Sequence, residues 1–356
     1  MKKTTLQLLT LFAVSILVFA CSKSKITKSG TAENPSATSV NSVAKPVPTA
    51  VTYLTGDAAN VNTNATGGLL LMGGSTDVDA AIQWFLQRAA GGDVVVIRST
   101  GADGYNTYMY NMVNVNSVET IIIDSRVKAD LSAVSQKIRN AEALFIAGGN
   151  QWDYVNYWKN SATEDAINYL INTKHVTVGG TSAGCAVLGS VYFTAESGTV
   201  TSLQALKNPY NKYMKLEQND FITSSFLQNT ITDQHYTQRD RQGRHISFLA
   251  RMMKDWNYIT VKGIGIDEQT AVCIDATGIG KVYGINQAYF LQNENLGPEN
   301  CISGAPIDWN RNMLAVKTYK ISGSNTGNGS FNASTWSMSG GIAYHYYIIN
   351  GVLFQN

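Results

Sequence analysis

The chain has 356 residues, of which 15% are charged, and its formal net charge is only +2. So weak a field gives no reason to expect nucleic acid or a strongly acidic partner, and the length suits one large α/β domain or two small ones. With four cysteines in all, a disulfide scaffold is excluded, and no CxxC or His/Cys cluster points to a metal or a cofactor.

Lys2 and Lys3 precede an apolar stretch, Leu6 to Phe19, that is too short and too terminal for an ordinary spanning helix. It ends in Ala20-Cys21, a pattern that resembles a bacterial lipobox. The expectation is a signal peptide over 1–20, cut before Cys21, whose new amino terminus is then acylated. Residues 21–50 are rich in Ser, Thr, Asn, Lys and Pro and have almost no large apolar side chains, so they read as a flexible tether. Together these segments describe an exported lipoprotein, held to a membrane by an N-terminal lipid anchor in the periplasm or at the cell surface.

From Gly67 the pattern changes. Leu69–Met72, Asp93–Ile97, Thr120–Ile123, Ala143–Ala147 and His175–Val178 are nearly continuous apolar runs, as expected of parallel strands buried on both faces. Between them lie segments such as 77–90, 131–140 and 163–172 with apolar residues at helical spacing. The alternation predicts a doubly wound, mostly parallel α/β sheet over 51–275. Gly73-Gly74, Gly101 with Gly104, Gly148-Gly149 and Gly179-Gly180 follow these strands, at the edge where such sheets bind ligands. Beyond Asp275, short runs alternate with Gly, Asn and Ser turns, which predicts a β-rich C-terminal extension over 276–356, either appended to the sheet or packed as a small subdomain.

Gly180-Thr181-Ser182-Ala183-Gly184 follows a predicted strand and precedes the helical run Cys185–Leu188. In that context a GxSxG sequence reads as a nucleophile elbow, where small neighbours let the chain turn sharply and lift the serine hydroxyl off the sheet edge. Serine needs a base. His175 belongs to the far end of its strand and His345 to the β tail, which leaves His235, set in Asp233-Gln234-His235-Tyr236 and followed by Arg239, Arg241 and Arg244. An acid must orient that imidazole, and Glu268 is favoured, with Asp267 as its neighbouring alternative. The chain order Ser, His, Glu is not that of the α/β-hydrolases, chymotrypsin or subtilisin. Three positions past Ser182, Cys185 should point into helix packing. Cys273 and Cys301 could form one bridge, but nothing in the sequence calls for it.

These motifs together resemble peptidase family S51, the family of cyanophycinase and the aspartyl dipeptidase peptidase E. The resemblance runs from about Gly67 to Ile274 and rests on four segments. They are Gly179–Gly184, Ala147-Gly148-Gly149-Asn150-Gln151, Asp233-Gln234-His235 with Arg239 and Gly243-Arg244, and Gly265 to Ala271. The Asp-Gln-His segment with its trailing arginines is closer to the cyanophycinase branch. The resemblance implies a fold like the class I glutamine amidotransferases (flavodoxin-like) and a serine-type exopeptidase with the triad Ser182, His235 and Glu268. It also implies an oxyanion hole from the N–H groups of Ala183 and Gly149. Gln151 and Arg239 would hold the aspartyl residue before the scissile bond, and Arg244 would shape the same edge. On the residues alone, Arg239, Arg241 and Arg244 also fit a solvated helix face, but Arg239, one turn beyond His235, is favoured for the substrate. The expected partner is an aspartate-containing peptide, with no nucleic acid, and a homodimer is left open. The competing readings are an inactive peptide-binding lipoprotein of the same fold and another amide or ester hydrolase.

Overall fold

The computed structural model describes residues 48–294 and 296–356. The expected signal peptide, Cys21 and almost all of the tether lie outside the described residues. Among those described, no helix is long and apolar enough to cross a membrane.

The strands in chain order are β1 (Val51–Gly56), β2 (Gly68–Met72), β3 (Asp93–Arg98), β4 (Ser117–Ile122), β5 (Ala143–Ile146) and β6 (Thr177–Thr181). Then come β7 (Val191–Phe193), β8 (Leu216–Gln218), β9 (Thr230–Gln234), β10 (Lys262–Ile266), β11 (Thr270–Asp275) and β12 (Ile279–Gly284). The last are β13 (Gln287–Asn293), β14 (Val316–Ser322), β15 (Asn328–Asn332), β16 (Ser337–Ser339), β17 (Ile342–Ile349) and β18 (Val352–Gln355).

Two sheets result. The first runs β1-β4-β3-β5-β6-β2-β11-β12-β15-β16, with β4, β3, β5, β6 and β2 parallel and the flanking strands β1 and β11 antiparallel to them. The second runs β18-β17-β14-β13-β10-β9-β7-β8. This mixed α/β architecture carries the parallel core expected from the apolar runs, but the order departs from a flavodoxin-like sheet in one place. β4-β3-β5-β6 follow that order, whereas the next position is held by β2, an early strand, and not by a later one.

Side-chain alternation assigns the layers. In β2 and β3, Leu70, Met72, Val94 and Val96 pack on Ile82, Phe85 and Leu86 of the helix Asp79–Gln87. Their alternates Leu69, Leu71, Val95 and Ile97 face Val134, Val155 and Ile167 from the helices Ser132–Asn140, Gln151–Trp158 and Ala162–Tyr169. Ile264, Ile266 and Phe290 of the second sheet join that same core, and the far face of the second sheet packs on Phe248 and Leu249 of the helix Gln242–Trp256. Period-two alternation with both faces apolar explains why the parallel strands read as unbroken hydrophobic runs.

The strands after Asp275 do not stand apart as a body of their own. β12, β15 and β16 lengthen the first sheet, while β13, β14, β17 and β18 lengthen the second, and all described residues fall in one compact unit. Cys185, Cys273 and Cys301 are buried and unpaired, so Cys273 and Cys301 make no bridge.

Candidate active site

Ser182 stands directly after β6, between β5 and β2 in the first sheet. Its backbone has φ 51° and ψ −116°, a strained conformation for a residue with a side chain, of the kind that costs about 1–3 kcal/mol and persists only where neighbours enforce it. The enforcement is visible. Ser182 N–H donates to Met72 O at 3.1 Å, and the helix Ala183–Ala186 starts at once. A Cβ on Gly184 would overlap the Ile146 carbonyl, and one on Gly180 would overlap the Gly184 carbonyl, so both glycines of the GxSxG sequence are required by close backbone approach.

His235 arrives from the second sheet, just past β9, and also has positive φ, 47°. Its N–H donates to Gly73 O at 2.9 Å, which joins the two sheets at this point. Glu268 lies in the short crossing from β10 of the second sheet to β11 of the first. The three side chains form a hydrogen-bonded chain: Ser182 Oγ to His235 Nε2 is 2.7 Å, and His235 Nδ1 to Glu268 Oε1 is 2.6 Å. Gly74, with φ 96°, closes over them, since a Cβ there would sit 2.5 Å from His235 Cε1 and 3.0 Å from Ser182 Cβ.

Burial lowers the His235 pKa, the hydrogen bond that its ring donates to Glu268 opposes that, and Arg239 and Arg241 reinforce the lowering, with the net shift downward. The imidazole is therefore neutral at neutral pH and free to accept a proton. The choice between the two acids is decided by direction. Asp267 Oδ1 accepts from the Thr237 N–H at 2.9 Å and the Thr237 hydroxyl at 2.7 Å, so it braces the segment after His235, while Glu268 reaches the imidazole.

The Gly148-Gly149 turn follows β5 and lies against Ser182, with the Cβ direction of Gly148 ending 3.5 Å from Ser182 Cβ. Among the described residues, the N–H groups of Ala183 and Gly149 have no hydrogen-bond acceptor. Gln151 begins the next helix, and its Nε2 is buried without a partner. Arg239 is half exposed at the rim, its Nε 3.7 Å from Glu268 Oε1. It is reached through a turn, in which Arg239 N–H donates to His235 O at 3.0 Å, and not along a helix, which begins only at Gln242.

Arg244 is not at the substrate edge. It is 3% exposed, and its guanidinium is occupied by Asp233, with Nε to Oδ2 at 2.8 Å and Nη2 to Oδ1 at 2.5 Å, leaving no surface for a substrate carboxylate. The pair anchors the end of β9, two residues before His235. The neighbouring Arg241 donates to Gln234 O at 2.9 Å and is likewise drawn inward. A solvated arginine face is therefore wrong for two of the three. The remaining histidines take no part: His175 lines a cavity at the opposite end of β6, His245 is fully buried, and His345 bonds Glu294 at 3.1 Å. Burial pushes the Cys185 thiol up to about 12, so it remains protonated and is no nucleophile.

With this geometry in hand, known proteins give it a context. The family described as Peptidase family S51 matches residues 69–282, more than half of the chain, from β2 into β12. A cyanophycinase of Synechococcus elongatus is 26% identical over 235 residues, covering 61% of this chain and 66% of that one. A cyanophycinase of Nostoc sp. is 25% identical over 177 residues, covering 49% and 53%. The chain thus spans just under two thirds of the first relative's length and about half of the second's. The crystal structure of a peptidase from an acI-B1 Actinobacterium superposes with a TM-score of 0.46 at 14% identity, covering 67% of this chain and 98% of that one. On the extent of the family match, this chain belongs to peptidase family S51.

Proposed function

We propose that this chain is a serine-type exopeptidase that hydrolyses aspartyl or β-aspartyl peptide bonds through an acyl-enzyme on Ser182. The observation that carries this reading is the hydrogen-bonded chain from Ser182 Oγ through His235 to Glu268, at 2.7 and 2.6 Å. His235 Nε2 takes the Ser182 proton as Oγ attacks the scissile carbonyl carbon. Glu268 holds the ring in the tautomer that accepts at Nε2 and stabilises the imidazolium. The oxyanion is met by the N–H groups of Ala183 and Gly149, each of the kind worth about 3–4 kcal/mol in the transition state. The C–N bond then breaks, the leaving amine takes the proton from His235, and a water activated by the same ring cleaves the ester.

Specificity for aspartate is supported by the orphaned Gln151 amide and by Arg239 at the rim, which would receive the side-chain carboxylate. The similarity to proteins named cyanophycinase supports the peptidase part of this reading. A kinship with class I glutamine amidotransferases is part of the same reading, supported by a nucleophile on a sharp turn after an inner parallel strand.

Fluorophosphonate labelling of purified protein beside Ser182→Ala tests the nucleophile, and hydrolysis of α- and β-aspartyl dipeptides tests the substrate. Labelling with turnover of unrelated esters or amides only would make it a different hydrolase. Neither labelling nor hydrolysis would leave a peptide-binding protein and sink the proposal.

The membrane attachment belongs to the same proposal and is supported by the sequence Ala20-Cys21 and the tether behind it. Palmitate incorporation in cells should be lost in Cys21→Ser, with the variant recovered in the soluble fraction. Unchanged fractionation would refute the anchor.

A further inference from the structure

Glu268 meets His235 with no side-chain support of its own. Among the described residues its carboxylate accepts one hydrogen bond, from His235 Nδ1 at 2.6 Å, and Arg239 Nε stands 3.7 Å from the same oxygen. A carboxylate so placed is aimed by its main chain, and that main chain is held at both polar groups. Glu268 N–H donates to Gln238 Oε1 at 3.0 Å, and Glu268 O accepts from Asn286 Nδ2 at 2.8 Å and from the Thr270 hydroxyl at 3.2 Å.

The turn between β12 and β13 supplies most of this cradle. Ile285 N–H donates to Gln269 O at 3.1 Å, Asn286 N–H donates to the Thr270 hydroxyl at 3.2 Å, and Gln287 O accepts from Asp267 N–H at 3.1 Å. Close approach is built in, since a Cβ on Gly284, where φ is 103°, would lie 2.1 Å from the Gln269 carbonyl oxygen. Gln269 itself has φ 55°, a conformation that neighbours must enforce. Ile285 holds its carbonyl, and Gly74 O accepts its N–H at 3.1 Å. Asn286 is fixed from behind, because its own carbonyl accepts from Gly323 N–H at 2.8 Å. The family match ends at residue 282, so Ile285 and Asn286 lie outside it.

We propose that Asn286 is a positioning residue for the acid of the site: its side-chain amide holds the Glu268 carbonyl so that the carboxylate meets His235 Nδ1. This rests on the peptidase reading and adds to it a dependence on the strands beyond the family match. Displacing a reacting group by about 1 Å costs up to about 10²-fold in rate, even when the altered residue is remote from the chemistry. Asn286 carries no charge, and the charged groups about His235 are Glu268, Arg239 and Arg241. Its removal therefore reaches the imidazole by moving Glu268, the one of the three that raises the His235 pKa.

The test follows the rate of fluorophosphonate labelling of Ser182 against pH, wild type beside Asn286→Ala, with urea unfolding of both. Asn286→Ala should lower the plateau rate by about tenfold. It should also move the acidic limb by about one pH unit to lower pH, because the imidazole loses the partner that favours its protonated form. A limb that stays put overturns the assignment even where the urea midpoint falls, since lost stability alone leaves the His235 pKa unchanged. Should Asn286→Ala fail to fold, Asn286→Ser carries the test, its hydroxyl being one bond too short for the Glu268 carbonyl. A smaller move in the same direction is expected, and none overturns the assignment. If the wild type neither labels nor hydrolyses, the peptidase reading has failed, and an NMR titration of the His235 imidazole decides the positioning separately. A lower His235 pKa in the variant supports it, and an equal pKa overturns it.

Discussion

His235 sits under opposing pulls, and its neighbours set the pH at which it takes up a proton. Burial and the cations Arg239 and Arg241 lower its pKa below 6.5, while Glu268 raises it. Removing a cation must let the pKa rise, so Arg239→Gln should move the acidic limb of the kcat/KM profile to higher pH. An unmoved limb would mean that Arg239 acts only on the substrate. Glu268→Gln removes both the orienting acceptor and the charge that steadies the imidazolium. It should lower kcat by about 10²–10⁴-fold at neutral pH, read in single-turnover kinetics with an unchanged urea-unfolding midpoint as the folding control.

Elements place these residues by backbone approach more than by side-chain contact. The turn after β6 is held by Gly180 and Gly184, which let the helix Ala183–Ala186 sit directly over the sheet edge. Gly184→Ala should therefore destabilise by about 1–3 kcal/mol in urea unfolding and lose fluorophosphonate labelling faster than it loses fold, because the strain falls on the turn itself. β2 to β6 were legible in the sequence because strands buried on both faces are written in apolar residues. β9 was not. Thr230-Ile231-Thr232-Asp233-Gln234 is fully buried yet mostly polar, and its burial is made tolerable by partners distant in sequence: Thr232 donates to Cys185 O at 2.9 Å, and Asp233 holds Arg244. β7 and β8, three residues each, are too short to show a period. At 163–172 the predicted helix exists but ends differently, passing from Ala162–Tyr169 into a π-helical turn over Leu170–Lys174.

For the molecule as a whole, the site stands where the two sheets meet, so its integrity and the stability of the fold are linked. Asp233 is fully buried. Burial pushes its pKa up, but Arg244 and Arg241 outweigh this and hold it below the usual 3.8. Its contribution is present above that value and is lost as pH falls through the depressed folded pKa. His245, pressed by burial down to about 4, also favours the fold only while neutral. Its contribution is complete above its ordinary value of 6.5 and is withdrawn as pH falls toward about 4. The melting temperature should therefore drop between these two pH values, and His245→Gln should flatten that drop. Asp233→Ala leaves Arg244 charged and unpaired in the interior, at a cost of about 3–5 kcal/mol by chemical unfolding at pH 7. A loss below about 1 kcal/mol would show that water reaches the guanidinium.

Sequence by itself determined the parallel core, the strand before Ser182, and the order in which Ser182, His235 and Glu268 occur along the chain. Periodicity and small-residue turns are local properties, and a family pattern is carried by short segments. Only the tertiary structure decided what those residues face. It gave Glu268 and not Asp267 to His235, took Arg244 away from the rim to pair with Asp233, and divided the C-terminal strands between two sheets. The reason is the same in each case: a charged side chain is placed by partners far off in the chain, and neither spacing nor composition records which partner comes within reach.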